Sequence, residues 1–323
     1  MKVFGMKSYL GLALLLMASS AMAQTGVDPG LPIYPRAEGV KGNVVMIGSY
    51  TMSQLGAVWA DNFQKLYPEV QVKIDPKGSS QAVQSVMSGE STFGLLSRSI
   101  TEEEVKAFHD KFGYLPTVVT PALEPIAIYV HKDNPVDSLT LAQLDAIFSK
   151  SLKRGASKTA TTWGDLGAAG KYAAMPINCE VRRDETGSQI FFQAAILGNG
   201  EFRDGVHNHV SNVDLVKAVA ANPGAIGFGG STFATPEVKV ISLKIRDEDP
   251  AVSIHEAGYP LVRPLQVVIN RAPQKQLSAI DREFLKFIFS QKGQQDVILA
   301  GFVPVPARAA QIALDAVDLR ILN

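Results

Sequence analysis

The stretch VRRDETGSQIFFQ (181–193) gathers residue types that could bind an oxyanion. Arg182 can offer a planar fork of N–H donors to a tetrahedral anion, and Asp184 is near enough in sequence to hold that guanidinium in place. Three residues that suit a helix start follow: Thr186, Gly187 and Ser188. Hydroxyl groups would there join unpaired backbone N–H groups at the positive end of the helix dipole. The order predicts an anion site made from an arginine and a helix N terminus.

Two other junctions between a predicted strand and a predicted helix have the same composition. GSYTM starts at Gly48 and KGSSQ starts at Lys77. Serine and threonine cap helices of every kind, so one such junction is weak support for a ligand site. Three in one chain, one of them next to an arginine, favour binding of an anion.

The elements that would position these junctions alternate along the chain. NVVMIGS is a short apolar run, and the next segment has apolar residues at helical spacing until Pro68. Strand and helix patterns then follow one another, including VKVISLKI as one strand and AIDREFLKFIFSQKGQQDVILAGF as one closing helix. This alternation predicts an α/β fold with parallel sheets covered by helices. Ligands in such folds bind beyond the carboxyl ends of the strands.

The first segment of the chain is predicted to be a secretory signal peptide. Lys2 and Lys7 precede an apolar run that is too short to span a bilayer and that closes on Ala-Met-Ala. We therefore expect cleavage before Gln24, which removes residues 1–23. A Pro- and Gly-rich leader arm, 24–42, follows.

Composition excludes several classes of protein. The chain has 323 residues, 46% hydrophobic and 19% charged, which suits a soluble globular protein of about two domains. Without residues 1–23 it retains 29 basic against 31 acidic side chains, so neither nucleic acid nor an anionic membrane is an expected partner. Its one cysteine, Cys179, cannot form an internal disulfide.

Consecutive segments of the chain, in order from 43 to 306, resemble the phosphate-binding subunit of bacterial phosphate ABC transporters. The segments are GSYTMSQLGAVWADNF, KGSSQAVQSVMSGESTFGLLSRSI, ALEPIAIYVHKDNPVDSLTLAQLDAIFS, TTWGDLG, RRDETGSQIFF, NPGAIGFGG, GYPLVRPLQVVIN and GFVPVP. The resemblance implies a type II periplasmic binding protein, with two α/β lobes around a ligand cleft and a hinge. Lobe I would be 43–129 plus 258–323, and lobe II would be 130–257.

The resemblance also assigns ligand-binding residues when it is carried over position by position. They are Thr51, Ser79, Ser97, Arg182, Thr186, Gly187 and Ser188. In the first loop the alignment also allows Ser49 or Tyr50. Arg183 is expected to be a solvated neighbour of Arg182, although the two could exchange roles.

One position departs from the pattern of the family. Several members have an aspartate where this chain has Ser97, and that carboxylate accepts the proton of a protonated phosphate while repelling fully ionised sulfate. Serine both donates and accepts, so discrimination against sulfate should be weaker here. The adjacent Arg98 either adds positive charge to the cleft or pairs with an acidic residue nearby.

The function that the resemblance implies is capture of inorganic phosphate, with delivery to an ABC permease and its ATPase in the inner membrane. Such a protein closes its lobes on the anion, performs no chemistry and needs neither cofactor nor metal. It would work as a monomer in the periplasm, or after secretion. The alternatives are another tetrahedral oxyanion (sulfate, arsenate or molybdate), or a secreted phosphate-sensing or adhesion protein on the same fold.

Other chemistries have little support in the sequence. His207 and His209 could ligate a metal, but no carboxylate or cysteine cluster accompanies them in sequence. GAAGKY lacks the P-loop spacing, and neither G-x-S-x-G nor H-E-x-x-H occurs. Three glutamates, 102–104, follow Thr101 in a helix-capping pattern that requires no further partner.

Overall fold

The computed structural model of the protein describes residues 26–184, 186–256 and 258–319. The predicted signal peptide and its cleavage before Gln24 lie outside these ranges. Within them, no helix has the length and apolar character needed to cross a membrane.

Strands and helices alternate through most of the described chain. The strands are β1 Gly42–Gly48, β2 Val70–Pro76, β3 Phe93–Leu96, β4 Thr117–His131, β5 Ser138–Thr140, β6 Asn178–Arg182, β7 His207–His209, β8 Ala225–Gly230, β9 Val238–Val240, β10 Ser242–Lys244, β11 Val262–Ile269 and β12 Val303–Pro304. The helices are α1 Tyr50–Leu66, α2 Ala82–Ser88, α3 Glu102–Phe112, α4 Leu141–Phe148, α5 Gly187–Ala195, α6 Asn212–Ala221, α7 Ala279–Ile288, α8 Gln291–Leu299 and α9 Ala307–Asp315. Short 3₁₀ turns begin at Ser79, Trp163, Gly170 and Ser231.

The chain divides into two compact units. Unit 1 comprises the residues up to Leu123 and those from Pro264 onward, and unit 2 is Glu124–Arg263. The sequence placed these boundaries at 129/130 and 257/258. The structure places both inside the long strands β4 and β11, which carry the chain from one unit to the other without a turn. Pro125 and Pro264 lie beside these boundaries, but a proline inside a strand does not by itself mark the end of a domain.

Unit 1 is built on a sheet with the strand order β2-β1-β3-β11. β1 pairs in parallel with β2 and β3, whereas β11 pairs antiparallel with β3. α1 buries its apolar stripe in the core of this unit, and the Trp59 indole N–H donates to the Gly293 carbonyl at 3.0 Å. The helical spacing read from this segment is therefore confirmed.

Unit 2 has the strand order β4-β8-β6-β7, with β9 also paired to β4. β6 runs parallel to β7 and β8, and β4 runs antiparallel to β8. The core contains a group of aromatic rings in which Phe192 and Phe228 stack with centroids 3.8 Å apart and Phe148 contacts both edge-on. Helices α5 and α6 begin directly after strands or short loops of this sheet, so their N termini lie near its strand ends.

Three expectations about these elements are corrected. The sheets are mixed rather than parallel, because β4 and β11 run against their neighbours. VKVISLKI forms two strands, β9 and β10, on different partners. The closing helix is two helices, α7 and α8, because the Ser290 hydroxyl accepts from the Gly293 N–H at 3.3 Å and caps a new helix there.

The described part of the leader arm, 26–41, has no helix or strand but is attached to unit 1. Leu31 is buried in the core of this unit. The Tyr34 hydroxyl lies 2.6 Å from the Tyr67 hydroxyl and donates to Glu283 at 3.0 Å. Burial, together with these neighbours, raises the pKa of Tyr34 above its usual range, so the phenol stays protonated and able to donate. The arm is therefore an integral part of the packing of unit 1.

A buried carboxyl group on α8 should make the stability of unit 1 depend on pH. Asp296 is 3% exposed, its Oδ1 accepts from the Asn62 amide at 2.7 Å, and its Oδ2 has no hydrogen-bond partner among the described residues. Burial raises the pKa of Asp296 to about 6. Between about pH 4 and pH 6 the unfolded chain would release this proton while the folded chain keeps it. The free energy of unfolding should therefore fall as the pH rises through that window.

We expect the Asp296→Asn substitution to remove the part of the pH dependence of stability that Asp296 causes, because asparagine does not ionise. Relative to the native chain, the variant should gain about 2 kcal/mol of stability on going from pH 4 to pH 7.5. Urea unfolding of both proteins at the two pH values measures this change. An equal stability difference at both pH values would show that Asp296 ionises normally in the folded state.

Candidate oxyanion-binding site

The first half-site lies where β1, β2 and β3 end in unit 1. Gly48 closes β1 at φ +142°, and a Cβ atom there would lie 2.2 Å from the Leu95 carbonyl oxygen, so only glycine fits. The Ser49 N–H donates to the same carbonyl at 2.8 Å, and the Gly78 N–H donates to the Gly48 carbonyl at 2.8 Å. Two of the predicted anion-binding loops are thus fixed against each other and against β3.

The first of these loops leads directly into α1. The Ser49 hydroxyl accepts from the Met52 N–H at 3.2 Å and is the N-cap of the helix. Thr51 is buried in the first helical turn, whereas the Tyr50 side chain is about half exposed. The structure thus places Ser49 and Thr51, but not the bulk of Tyr50, inside the half-site.

Ser79 and Ser97 come from different loops and lie side by side. Their hydroxyl oxygens are 3.2 Å apart, and the Ser97 N–H donates to the Ser79 hydroxyl at 3.2 Å. The two residues are 1% and 2% exposed. Each hydroxyl can donate a hydrogen bond to an anion and can also accept one from a protonated anion. An ionised carboxylate can only accept, and an arginine can only donate.

Arg98, next to Ser97, pairs with an acidic residue. Its Nη1 and Nη2 donate to the two carboxylate oxygens of Glu104 at 2.8 and 2.7 Å, and it is 5% exposed. Glu104 also accepts from the Thr101 N–H at 2.9 Å, which completes a capping box at the start of α3. The interpretation of the acidic turn as a helix cap is therefore confirmed, and Glu104 has Arg98 as an additional partner. Of the two roles considered for Arg98, the structure shows the ion pair.

The second half-site joins the end of β6 to the start of α5 in unit 2. The Thr186 hydroxyl accepts from the Gln189 N–H at 3.4 Å as the N-cap and donates to the Arg183 carbonyl at 2.9 Å. The Gln189 side chain in turn accepts from the Arg182 N–H at 3.2 Å, so the loop closes on itself. The first two helical residues are buried as well: Gly187 and Ser188. These hydrogen bonds connect the start of the nine-residue helix to the end of β6.

Arg182 is 5% exposed and its guanidinium is held by main-chain carbonyls. Nε donates to the His209 oxygen at 3.3 Å and Nη2 donates to the Val210 oxygen at 2.7 Å. Arg183 is exposed, as expected for the solvated neighbour. Asp184 is exposed, and its expected role in holding Arg182 stays a prediction.

The sequence could not identify the groups that hold Arg182. Main-chain carbonyls carry no residue-type signal, and β7 is three residues long. The Gln189 contact could have been found, because a side chain one helical turn inside a predicted N terminus often bonds back to the preceding loop. Among the described residues, no group of three or more His, Cys, Asp or Glu side chains is arranged to hold a metal ion.

Each half-site therefore has buried hydroxyls and a helix N terminus, and the second adds a guanidinium. Donors of this kind stabilise a tetrahedral oxyanion by short charge-assisted hydrogen bonds. The site residues predicted from sequence fall into two groups, one in each unit: Thr51, Ser79 and Ser97 in unit 1, and Arg182, Thr186, Gly187 and Ser188 in unit 2.

Comparison with known proteins relates nearly the whole chain to one family. A family model described as a PBP superfamily domain matches residues 35–292. The phosphate-binding protein PstS of Pseudomonas aeruginosa strain PAO1 is 37% identical over 305 residues, which are 93% of this chain and 94% of that protein.

Solved structures agree with the fold. A Clostridium perfringens structure, described as a phosphate ABC transporter substrate-binding protein with bound phosphate, matches with a TM-score of 0.66 and 26% identity over 82% of this chain and 100% of that one. An ABC-type phosphate transport receptor from Vibrio cholerae matches with a TM-score of 0.65 and 21% identity over 81% of this chain and 100% of that one. The α/β fold is that of the type II periplasmic binding proteins.

Proposed function

Since this chain belongs to the phosphate-binding protein family within the PBP superfamily, we propose that it captures inorganic phosphate as the substrate-binding protein of an ABC importer. The observation that supports this most directly is the burial of Arg182 beside a hydroxyl-rich helix N terminus. A buried guanidinium requires an anion or several acceptors to offset its desolvation. Phosphate supplies four acceptor oxygens in a geometry that a fork of N–H donors matches.

Both half-sites are proposed to contribute to binding of one phosphate ion. Thr51, Ser79 and Ser97 would donate from unit 1, and Arg182, Thr186, Gly187 and Ser188 would donate from unit 2. An anion that bonds both units stabilises the conformation in which both can reach it, so phosphate shifts the population towards that state. The ligand is released unchanged, and the protein is proposed to have no enzymatic activity.

The proposed partners and location follow those of the relatives. Phosphate would pass to a permease and ATPase of an inner-membrane ABC transporter, and the protein would act as a monomer in the periplasm or outside the cell. Neither proposal requires a cofactor.

Sulfate is the second candidate ligand, on one specific observation. The family resemblance aligns Ser97, whose buried hydroxyl lies 3.2 Å from that of Ser79, with an aspartate that rejects a fully ionised anion in several members. A hydroxyl can turn its proton towards either phosphate or sulfate, so it excludes neither. Discrimination would then depend on the other donors and should be weaker than with a carboxylate.

Calorimetric titration of ligand-stripped protein with phosphate and then with sulfate, at pH 6 and pH 8, tests the function. We expect phosphate to bind with a micromolar or lower Kd, which corresponds to about −8 kcal/mol or better. Sulfate should bind measurably more weakly. Absence of heat with phosphate, or equal binding of both anions, would contradict phosphate capture while leaving the fold assignment intact.

A further inference from the structure

A buried carboxylate, Glu180, lies between two imidazole rings beside the second half-site. Its Oε2 is 2.6 Å from Nε2 of His209, and its Oε1 is 3.1 Å from Nδ1 of His207. The Glu180 side chain is 4% exposed, whereas the imidazoles of His209 and His207 are 18% and 59% exposed. A carboxylate this deeply buried requires donors, and both of its oxygens have one.

The strand register connects this cluster to Arg182. β6 and β7 are parallel, with Glu180 opposite His207 and Arg182 opposite His209. Since side chains alternate along a strand, Glu180 and Arg182 lie on the same face of β6. His209 contacts both of them: its imidazole meets the Glu180 carboxylate, and its carbonyl oxygen accepts from Nε of Arg182.

β7 needs a side-chain anchor to hold its position. It has three residues, stands last in the strand order of unit 2 and is largely exposed. Short edge strands with few buried contacts open readily, because little free energy opposes local unfolding. The two imidazole contacts fasten both ends of β7 to Glu180, and the carbonyls of His209 and Val210 are fixed as a result.

We propose that Glu180 and His209 are positioning residues for anion recognition: they fix β7 and the residue that follows it, and the carbonyls of His209 and Val210 orient the Arg182 guanidinium. The inference rests on the proposed function and adds residues that act through Arg182 without touching the ligand. His207, more exposed and bonded at the longer distance, has the smaller part.

Three single variants separate positioning from general stability. His209→Leu removes the donor to Glu180, and His209→Gln restores it, because a glutamine amide nitrogen reaches about as far as Nε2. His109→Leu is the matched control, since His109 is an exposed histidine on α3 in unit 1. In calorimetric titration with inorganic phosphate, we expect the His209→Leu substitution to raise the Kd about tenfold. His209→Gln should recover most of it, and the control should match the native protein.

A double variant gives a readout that a purely structural role would not change. In an Arg182→Ala background, His209→Leu should have no further effect on the phosphate Kd, because its effect passes through the guanidinium. Additive effects of the two substitutions would overturn the inference. A His209→Leu protein that keeps Arg182 and binds phosphate with the native Kd would also overturn the inference.

Crystal structures of the native protein and of the His209→Leu variant, both determined without phosphate, test the inference independently of binding. The contact from Nη2 of Arg182 to the Val210 oxygen should be lost in the variant, and its retention would overturn the positioning role. If the native protein fails to bind phosphate, only the proposed function is overturned, since this structural comparison still decides the inference.

Discussion

The Arg182→Ala substitution is expected to raise the Kd for phosphate at least about 100-fold. Two charge-assisted hydrogen bonds of about 1.5 kcal/mol each account for that factor. The guanidinium is 5% exposed and its plane is fixed by the carbonyls of His209 and Val210, so it requires little ordering when an anion binds. Calorimetric titration of the variant with phosphate measures the loss.

Arg183→Ala is the matched control for that experiment. Arg183 is adjacent, carries the same charge and is exposed, so its removal changes the charge of the unit equally without changing the half-site. We expect its phosphate Kd to remain within about twofold of the native value, because exposed charges are screened by salt. A larger loss for Arg183→Ala than for Arg182→Ala would reverse the roles of the two arginines.

Loss of one member of the buried pair Glu124–Arg263 is expected to destabilise the protein by about 3–5 kcal/mol. Both side chains are fully buried, and Nε and Nη2 of Arg263 donate to the same carboxylate oxygen at 2.8 and 2.6 Å. Burial raises the pKa of Glu124, and the charge and hydrogen bonds of Arg263 oppose that rise. Glu124→Gln would leave the guanidinium buried without its counter-charge. Urea unfolding at pH 7 measures the change.

Two further variants test whether the cost comes from the unpaired charge. The double variant Glu124→Leu with Arg263→Met removes both charges and should be less destabilised than Glu124→Gln. Asp110→Asn breaks the exposed pair with Lys106 and should cost less than about 1 kcal/mol. A Glu124→Gln protein as stable as the Asp110→Asn protein would show that the buried pair contributes little.

Local patterns were sufficient to predict the elements with strong periodicity. α1 follows from apolar residues at helical spacing, and β4, with the bounds Thr117–His131, follows from a long segment rich in apolar and β-branched residues. Ser290 was read as part of a helix, because a serine that caps a new helix looks the same in sequence as one on a helix surface. Strands of two or three residues, such as β7 and β12, are too short to show a period.

The parts of the candidate site that are formed by side chains could be predicted from sequence, whereas the contacts made by main-chain carbonyls could not. Glycine and hydroxyl residues at a strand end identified the loop that holds Ser79, and the family resemblance added Ser97, whose hydroxyl oxygen lies 3.2 Å from that of Ser79. The carbonyls that hold Arg182 belong to residues 27 and 28 positions further along the chain, so Asp184 was selected as the nearer acidic residue in sequence. Strand register, which decides such contacts, is set by tertiary packing rather than by neighbours in the chain.

The two units differ in whether they are formed by one segment of the chain or by two, which affects the order in which they can fold during synthesis. Unit 2 is one continuous segment, and the ion pair between Glu124 and Arg263 joins its two ends. Unit 1 cannot complete its sheet until β11 is available, because Leu96 of β3 pairs with Gln266 of β11, about half the chain length further on. Contacts of such long sequence separation form slowly, since the intervening loop must close first. Unit 1 is therefore expected to acquire its native sheet after unit 2, once β11 has been synthesised.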